Sequence, residues 1–288
     1  MPGLLRAALA DWVVIAMCWT VMALGPAWLL PLMVLLVAGR LHALGVVLHD
    51  ACHMPAARHP ARSSQAARLK LLEVLAGYPI TTTLLAMRYH HLRHHRHNGT
   101  ALDPYFRTGA STHAWPAWWA RARGLIVPLA WMLRPCAAML SLAVPRLRNG
   151  YARVFLGDRS GRHPGSEPEL LACLRADLGQ ALFFIPVLVL AWLHPLAFGL
   201  GYLLPLLLAG LCNAHRVVAE HLHDQTAGTR LSREALTATT VTHDVGPLGQ
   251  VLLYPRHIGL HLVHHLHPTA GMHSLPALQA WYRTHHLP

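Results

Sequence analysis

Charged residues are scarce in this 288-residue sequence: they make up 12% of it, against 54% apolar residues. An ordinary soluble domain carries about a quarter charged residues. The shortage excludes that class and points to a membrane protein. Cysteine is sparse too. The five residues Cys18, Cys52, Cys136, Cys173 and Cys212 include no C-x-x-C pair, which argues against a disulfide framework, an iron–sulfur cluster or a thiolate zinc site. Acidic residues number 12 against 24 basic ones, a formal charge of +12. A nucleic-acid binder would carry such an excess as a stripe on a polar domain. Here 17 of the 24 lie between His53 and Asp177, flanked by apolar hairpins, so no nucleic-acid partner is expected.

What is plentiful is apolar sequence in long runs. Leu4 to Leu24 is one, interrupted by Arg6 and Asp11 and followed at once by a second, so it does not read as a cleavable signal. Gly25-Pro26 makes a turn and Ala27 to Leu48 returns. Leu178 to Leu193, a break at His194-Pro195, and Leu196 to Val217 form a second such pair. Each arm is near the length a spanning helix needs. The turns near Pro26 and Pro195 hold no Arg or Lys, so the positive-inside rule places the arginine-rich segment and both termini in the cytoplasm. Arg40, about 20 Å along the helix from Ala27, is expected to reach the cytoplasmic interface by snorkelling. Leu69 to Met87 and Leu125 to Val144 read as helices lying on the membrane surface, and residues 157 to 169 as a polar loop. The expected fold class is an all-α integral membrane protein. Four transmembrane helices form two hairpins, with membrane-surface helices and a cytoplasmic histidine-rich cap, in a single domain over residues 1–288. Arginine outnumbers lysine 23 to 1, which hints at a GC-rich bacterial genome and hence an inner membrane.

Histidine is the other excess: 24 residues, one in twelve. They are patterned. His49 and His53 are spaced i, i+4; His91, His94 and His95 are spaced i, i+3, i+4; His261, His264 and His265 repeat that spacing; Glu220-His221 closes the last apolar arm. Residues at these spacings share one helix face, so the imidazoles of each group converge. At this histidine frequency an H-x-x-H-H pattern should arise by chance about 0.16 times in such a chain, yet it occurs twice. His49 and His221 lie about 33 and 37 Å of helix beyond their far-side turns, so both emerge at the same depth. Nine imidazoles exceed what one metal accepts but suit two metals with open positions. Zinc would also take imidazole, but a structural zinc site is closed with four ligands, so the excess favours a redox pair. Neutral ligands leave the metal charge uncompensated, so carboxylates should stand behind them. Asp50, Asp103, Glu220, Asp224 and Asp244 are assigned that supporting place rather than ligation.

HDACH at 49–53, YHHLRHHRHNGTALDPY at 89–105, RVVAEH at 216–221 and PRHIGLHLVHHLHP at 255–268 resemble, in order, the histidine boxes of the membrane fatty acid desaturase superfamily. That superfamily includes acyl desaturases, hydroxylases and carotenoid ketolases. The resemblance implies a di-iron centre on His49, His53, His91, His94, His95, His221, His261, His264 and His265, with dioxygen as co-substrate. It also implies a fatty acyl chain as substrate and introduction of a double bond into it. Hydroxylation or ketolation of a lipid or carotenoid is the alternative on the same scaffold. The sequence departs from acyl desaturases before and inside the third box, where Ile258-Gly259-Leu260 and Val263 stand in place of an Asn-aromatic pair and a Glu. His163-Pro164-Gly165-Ser166 is similar to the haem motif of fused electron-donor domains, but its flanks do not fit and it reads as a loop. Electrons are therefore expected from a separate ferredoxin- or reductase-type protein docking on the basic surface. Two non-enzyme readings remain: a metal transporter, which would place its ligands midway along the spanning helices, and a catalytically silent relative.

Overall fold

A computed structural model describes residues 2–58, 65–106, 114–161, 167–222 and 232–285. Asp224, His223, His286 and the 163–166 motif lie outside them. Among the described residues every regular element is a helix, apart from one isolated bridge between His221 and Thr240.

Helix α1 (Pro2–Leu24) begins on a proline, where the missing amide hydrogen costs nothing, and ends where the Gly25 amide closes on the Val21 carbonyl. After a single turn at Ala27–Leu29, α2 (Leu30–Cys52) returns. Helix α1 buries Ala8, Asp11, Ile15 and Cys18 and presents Leu9, Val13 and Met17 outward at 51, 60 and 63% exposure. An outward stripe of this kind is disfavoured in water and suits lipid.

The long intervening segment is broken where its prolines and threonines fall. Helix α3 (Ala66–Leu72) runs on through a widened turn (Glu73–Gly77) and a tight one (Tyr78–Ile80), then stops. Thr81 takes a left-handed φ of 63°, and Thr83 caps α4 (Leu84–His97) by accepting from the Ala86 amide. The two halves meet at 77°, so the stretch read as one helix from Leu69 to Met87 is two. The stretch from Leu125 to Val144 also divides. After α5 (Ala114–Ala122) it forms α6 (Val127–Met132) and α7 (Arg134–Ala143), because Pro128 and Pro135 each start a helix. Helix α8 (Arg148–Phe155) follows.

Helix α9 (Pro168–Leu193) is succeeded by α10 (Pro195–Phe198) and α11 (Leu204–Glu220), with α12 (Arg233–Thr239), α13 (Pro247–Leu252), α14 (His261–Leu266) and α15 (Leu275–Thr284) completing the chain. Among the described residues four helical stretches are long and apolar enough to cross a membrane, Pro2–Leu24, Ala27–Cys52, Pro168–Leu193 and Pro195–Glu220, and the bent pair Ala66–Ile80 and Leu84–His97 makes a fifth if taken as one span.

Helix α2 is the hub, packed on α1, α4, α11 and α13; α9 lies instead on α7 and α4. Two ionic clusters fix this arrangement. Fully buried Arg134 donates to Asp177 (3.0 Å), Gln180 (3.0 Å) and Thr82 (3.1 Å), and Tyr151 shares Asp177, so α7, α8, α9 and the Thr81–Thr83 break are held at one point. Arg40 donates to Asp11 on α1 at 3.2 Å and to the Val251 carbonyl at 3.1 Å. Asp11 also takes Arg256. Gly39 makes the contact between Arg40 and Val251 possible, since a Cβ there would sit 2.1 Å from the Val251 oxygen.

Candidate metal centre

Four helix ends deliver the histidines. His49 sits in the last turn of α2 and His53 caps it. His91, His94 and His95 end α4, and His261, His264 and His265 make up half of α14. His221 follows α11, steadied by the bridge that joins Leu222 to Thr239 and Val241 to Glu220. Entry to α14 requires left-handed backbone at two successive residues, Arg256 (φ 57°) and His257 (φ 62°), a conformation unfavourable for non-glycine residues. Arg256 is held there by Asp11 and the Ala7 carbonyl.

The nine imidazoles meet as two groups whose candidate ligand atoms all lie within 4.8 Å of one another inside each group. His49, His53, His91, His95 and His264 form the first; His94, His221, His261 and His265 form the second. Each H-x-x-H-H box splits. Adjacent helical residues diverge by about 100°, so the i, i+4 pair faces one centre and the middle histidine faces the other. His91 and His95 serve the first group while His94 serves the second; His261 and His265 serve the second while His264 crosses to the first.

The spacing fits metal ions. Imidazole–metal bonds of about 2.1 Å at right angles place neighbouring nitrogens about 3.0 Å apart. The Nε2 atoms of His53 and His91, His91 and His95, and His95 and His264 are 2.9, 2.9 and 3.1 Å apart. The second group gives 3.3 Å (His94–His265), 3.1 Å (His265–His261) and 3.2 Å (His261–His221). A neutral Nε2 carries one proton or one lone pair and so makes one hydrogen bond. A row of four such atoms with three close contacts therefore cannot be satisfied internally, whereas a shared cation satisfies every lone pair. Burial first, then the neighbouring imidazoles, pushes His91, His95, His261, His264 and His265 well below the ordinary histidine range. His53 is lowered to about 4 by burial and then by Arg88. Neutral imidazole is the form that binds metal.

Of the five carboxylates assigned behind the ligands, Asp103 is there: its Oδ1 accepts from His94 Nδ1 at 2.9 Å with both side chains fully buried, which turns Nε2 toward the second group. Backbone amides of Gly99 and Tyr105 orient that carboxylate, and the Tyr105 ring lies 4.4 Å from His94. Glu220 is also present, with Oε2 3.6 Å from His261 Nε2 and 3.2 Å from Arg216. Asp50 turns instead to the Met272 amide at 3.4 Å. Asp244 pairs instead with Arg283 at 2.9 Å, with both side chains more than half exposed. Among the flanking histidines, His243 donates to the Ala219 carbonyl, His257 meets Gln250 and His267 meets Tyr282; none joins either group.

Sequence reasoning missed the space beside the first group. A cavity of about 320 Å³ lies against α2, α6 and α11, with His49 in its wall and mostly apolar side chains around it. Facing glycines, Gly124 and Gly210, let the segment before α6 approach α11, and a Cβ on either would strike the other's carbonyl at 2.4 or 2.2 Å. The i−4 position before His49, Gly45, was the available signal: it keeps the wall open one turn from a ligand.

Spanning-length helices whose ends gather nine imidazoles define a membrane protein with a histidine site built for metal. The chain belongs to the fatty acid desaturase family, whose pattern residues 26–286 match. No curated protein matches it significantly.

Proposed function

We propose that the protein is an oxygen-dependent lipid desaturase, an oxidoreductase that introduces a double bond into a fatty acyl chain. The observation that carries this reading is the meeting of the histidine groups with an apolar cavity at His49. His49, His53, His91, His95 and His264 would hold one iron, and His94, His221, His261 and His265 the other. Two iron ions and dioxygen, with two electrons from a separate ferredoxin- or reductase-type donor, would supply the oxidising power that an unactivated methylene demands. The chain's own contribution is positioning. The cavity wall around Gly45 and Leu206 holds an alkyl segment against His49, excludes water and fixes which carbon is presented. Asp103 keeps the His94 ring in the tautomer that turns its lone pair inward.

The arginine-rich residues 53–177 and the bare turns near Pro26 and Pro195 support a cytoplasmic site in a bacterial inner membrane. Asp244 and Asp50, turned away, take no part. Oxygen insertion into a lipid or carotenoid is the second reading, favoured by polar side chains in the cavity wall. Expression in a host of defined lipid content, followed by mass spectrometry, separates the two. New double bonds support desaturation, and new hydroxyl or keto groups support insertion. Unchanged lipids and pigments, with about two irons bound per chain, would defeat both.

A further inference from the structure

Trp12 and Trp19 spend their indole N–H groups on the Leu75 and Gly201 carbonyls, both at 2.8 Å. Three tryptophans on α5 do not. Trp115, Trp118 and Trp119 stand 71, 56 and 49% exposed, and among the described residues none of their N–H groups meets an acceptor. At i, i+3 and i+4 they share one helix face, and Trp115 stacks on Trp118 with ring centroids 5.2 Å apart. Ala117, Ala120 and Arg121 fall on the opposite face. There Ala120 lines the cavity, and Arg121 Nε donates to His215 Nδ1 on α11 at 3.1 Å. The turn that follows brings Gly124 against Gly210. Helix α5 is therefore a partition one helix thick, with the cavity on one side and a bare indole face on the other.

Depth decides what covers that face. Counted from Pro195, Gly210 lies about 22 Å and His215 about 30 Å along the spanning stretch. Gly124 meets Gly210 while Arg121 meets His215, so α5 runs along α11 toward its histidine end. The three tryptophans then stand about 33–39 Å from Pro195. A bilayer's hydrocarbon core is about 30 Å thick, and the headgroup layers bring the total to about 40–45 Å. The indoles thus fall in the headgroup layer on the histidine side. The opposite boundary carries the same mark: Trp28 and Trp192, 75 and 84% exposed, lie two residues from Pro26 and His194 at the far-side turns. Tryptophan favours these two levels because its ring is apolar while its N–H needs an acceptor. Charge agrees. Arg123 is exposed and Arg121 meets only an imidazole, and among the described residues neither pairs with a carboxylate, which suits lipid phosphates.

We propose that the α5 tryptophan face is a lipid-docking surface, seated in the headgroup layer of the histidine-side leaflet with its indole N–H groups donated to lipid ester and phosphate oxygens. One helix then separates the cavity from the headgroups. The test uses the iron-loaded protein in phospholipid vesicles whose acyl chains carry bromine, a fluorescence quencher, either just below the headgroup or near the chain end. The chain has nine tryptophans. The signal of these three is the difference between the protein and a variant carrying Trp115→Phe, Trp118→Phe and Trp119→Phe. Bromine below the headgroup should quench that difference about twofold more than bromine near the chain end. Iron content reports whether the variant is folded; if it is not, Trp118→Phe alone, which removes one ring from an exposed position, gives the same comparison. Absence of lipid quenching overturns the proposal: the face is then in water if dissolved iodide quenches it, and against a protein or a second copy if iodide does not. Equal or stronger quenching by chain-end bromine overturns it too, since the face would lie in the hydrocarbon core.

Discussion

The two histidine groups differ in how they are held. In the four-histidine group every ring is buried, Asp103 grips His94, and Glu220 stands beside His261. In the five-histidine group His53 and His95 are only part-buried, and Nδ1 of His49, His91 and His264, like that of His261 in the other group, has no side-chain partner. That group also borders the cavity through His49. A ring locked by a carboxylate cannot reorient, whereas one without a partner can. The four-histidine group is thus the better anchored of the two, through His94, and the five-histidine group the one that borders the cavity.

Removing a ligand from each side is the strongest way to break this comparison. His265→Ala leaves three ligands in its group; it should release one iron and lower turnover by about 10³-fold or more, on the scale of losing a unit that acts as a whole. His53→Ala leaves four and should keep most of its iron, with a loss of about tenfold. Metal analysis beside turnover decides; equal iron loss in the two variants would erase the distinction. Asp103→Asn comes next. It should weaken the anchor iron by about 10–100-fold and leave the other unaffected, read by chelator competition. Gly45→Leu acts only on the cavity side: it should raise KM or move the position of oxidation while iron content stays constant.

A smaller effect is read by pH at His53. His53 holds a pKa of about 4 in the folded protein, against about 6.5 in an unfolded chain. Above pH 6.5 both states are neutral there and the stability is intact. As pH falls toward 4 the unfolded chain takes up a proton the folded one refuses, so metal-free protein should lose stability across that window, measured by thermal unfolding in detergent. The smallest effect belongs outside the site: Arg283→Ala breaks an exposed pair with Asp244 and should change stability by less than about 0.5 kcal/mol.

The helical spacing of the histidines made the site legible in sequence, since i, i+3 and i+4 imply one face whatever the tertiary fold. That a box can straddle two centres follows from the roughly 100° step between adjacent residues, but which of its histidines join which group does not: it depends on the rotation of α4 relative to α14, which no local pattern encodes. The apolar runs marked the four long helices, but not the partner of Arg40, since Asp11 lies on another helix. Asp244 was misassigned on closeness in sequence, while its partner is Arg283. The cavity was hidden for the same reason: its walls come from α2, α6 and α11, and only packing brings them together.

The anchoring of Arg256 by Asp11 ties the opening helix to the turn that feeds the last histidine box. Helix α1 donates no imidazole, yet a shortened chain starting after Gly25 would keep all nine and lose the clamp on that turn. Such a truncation would be expected to bind iron loosely and unevenly, so the first helix acts as scaffolding for chemistry encoded more than two hundred residues later.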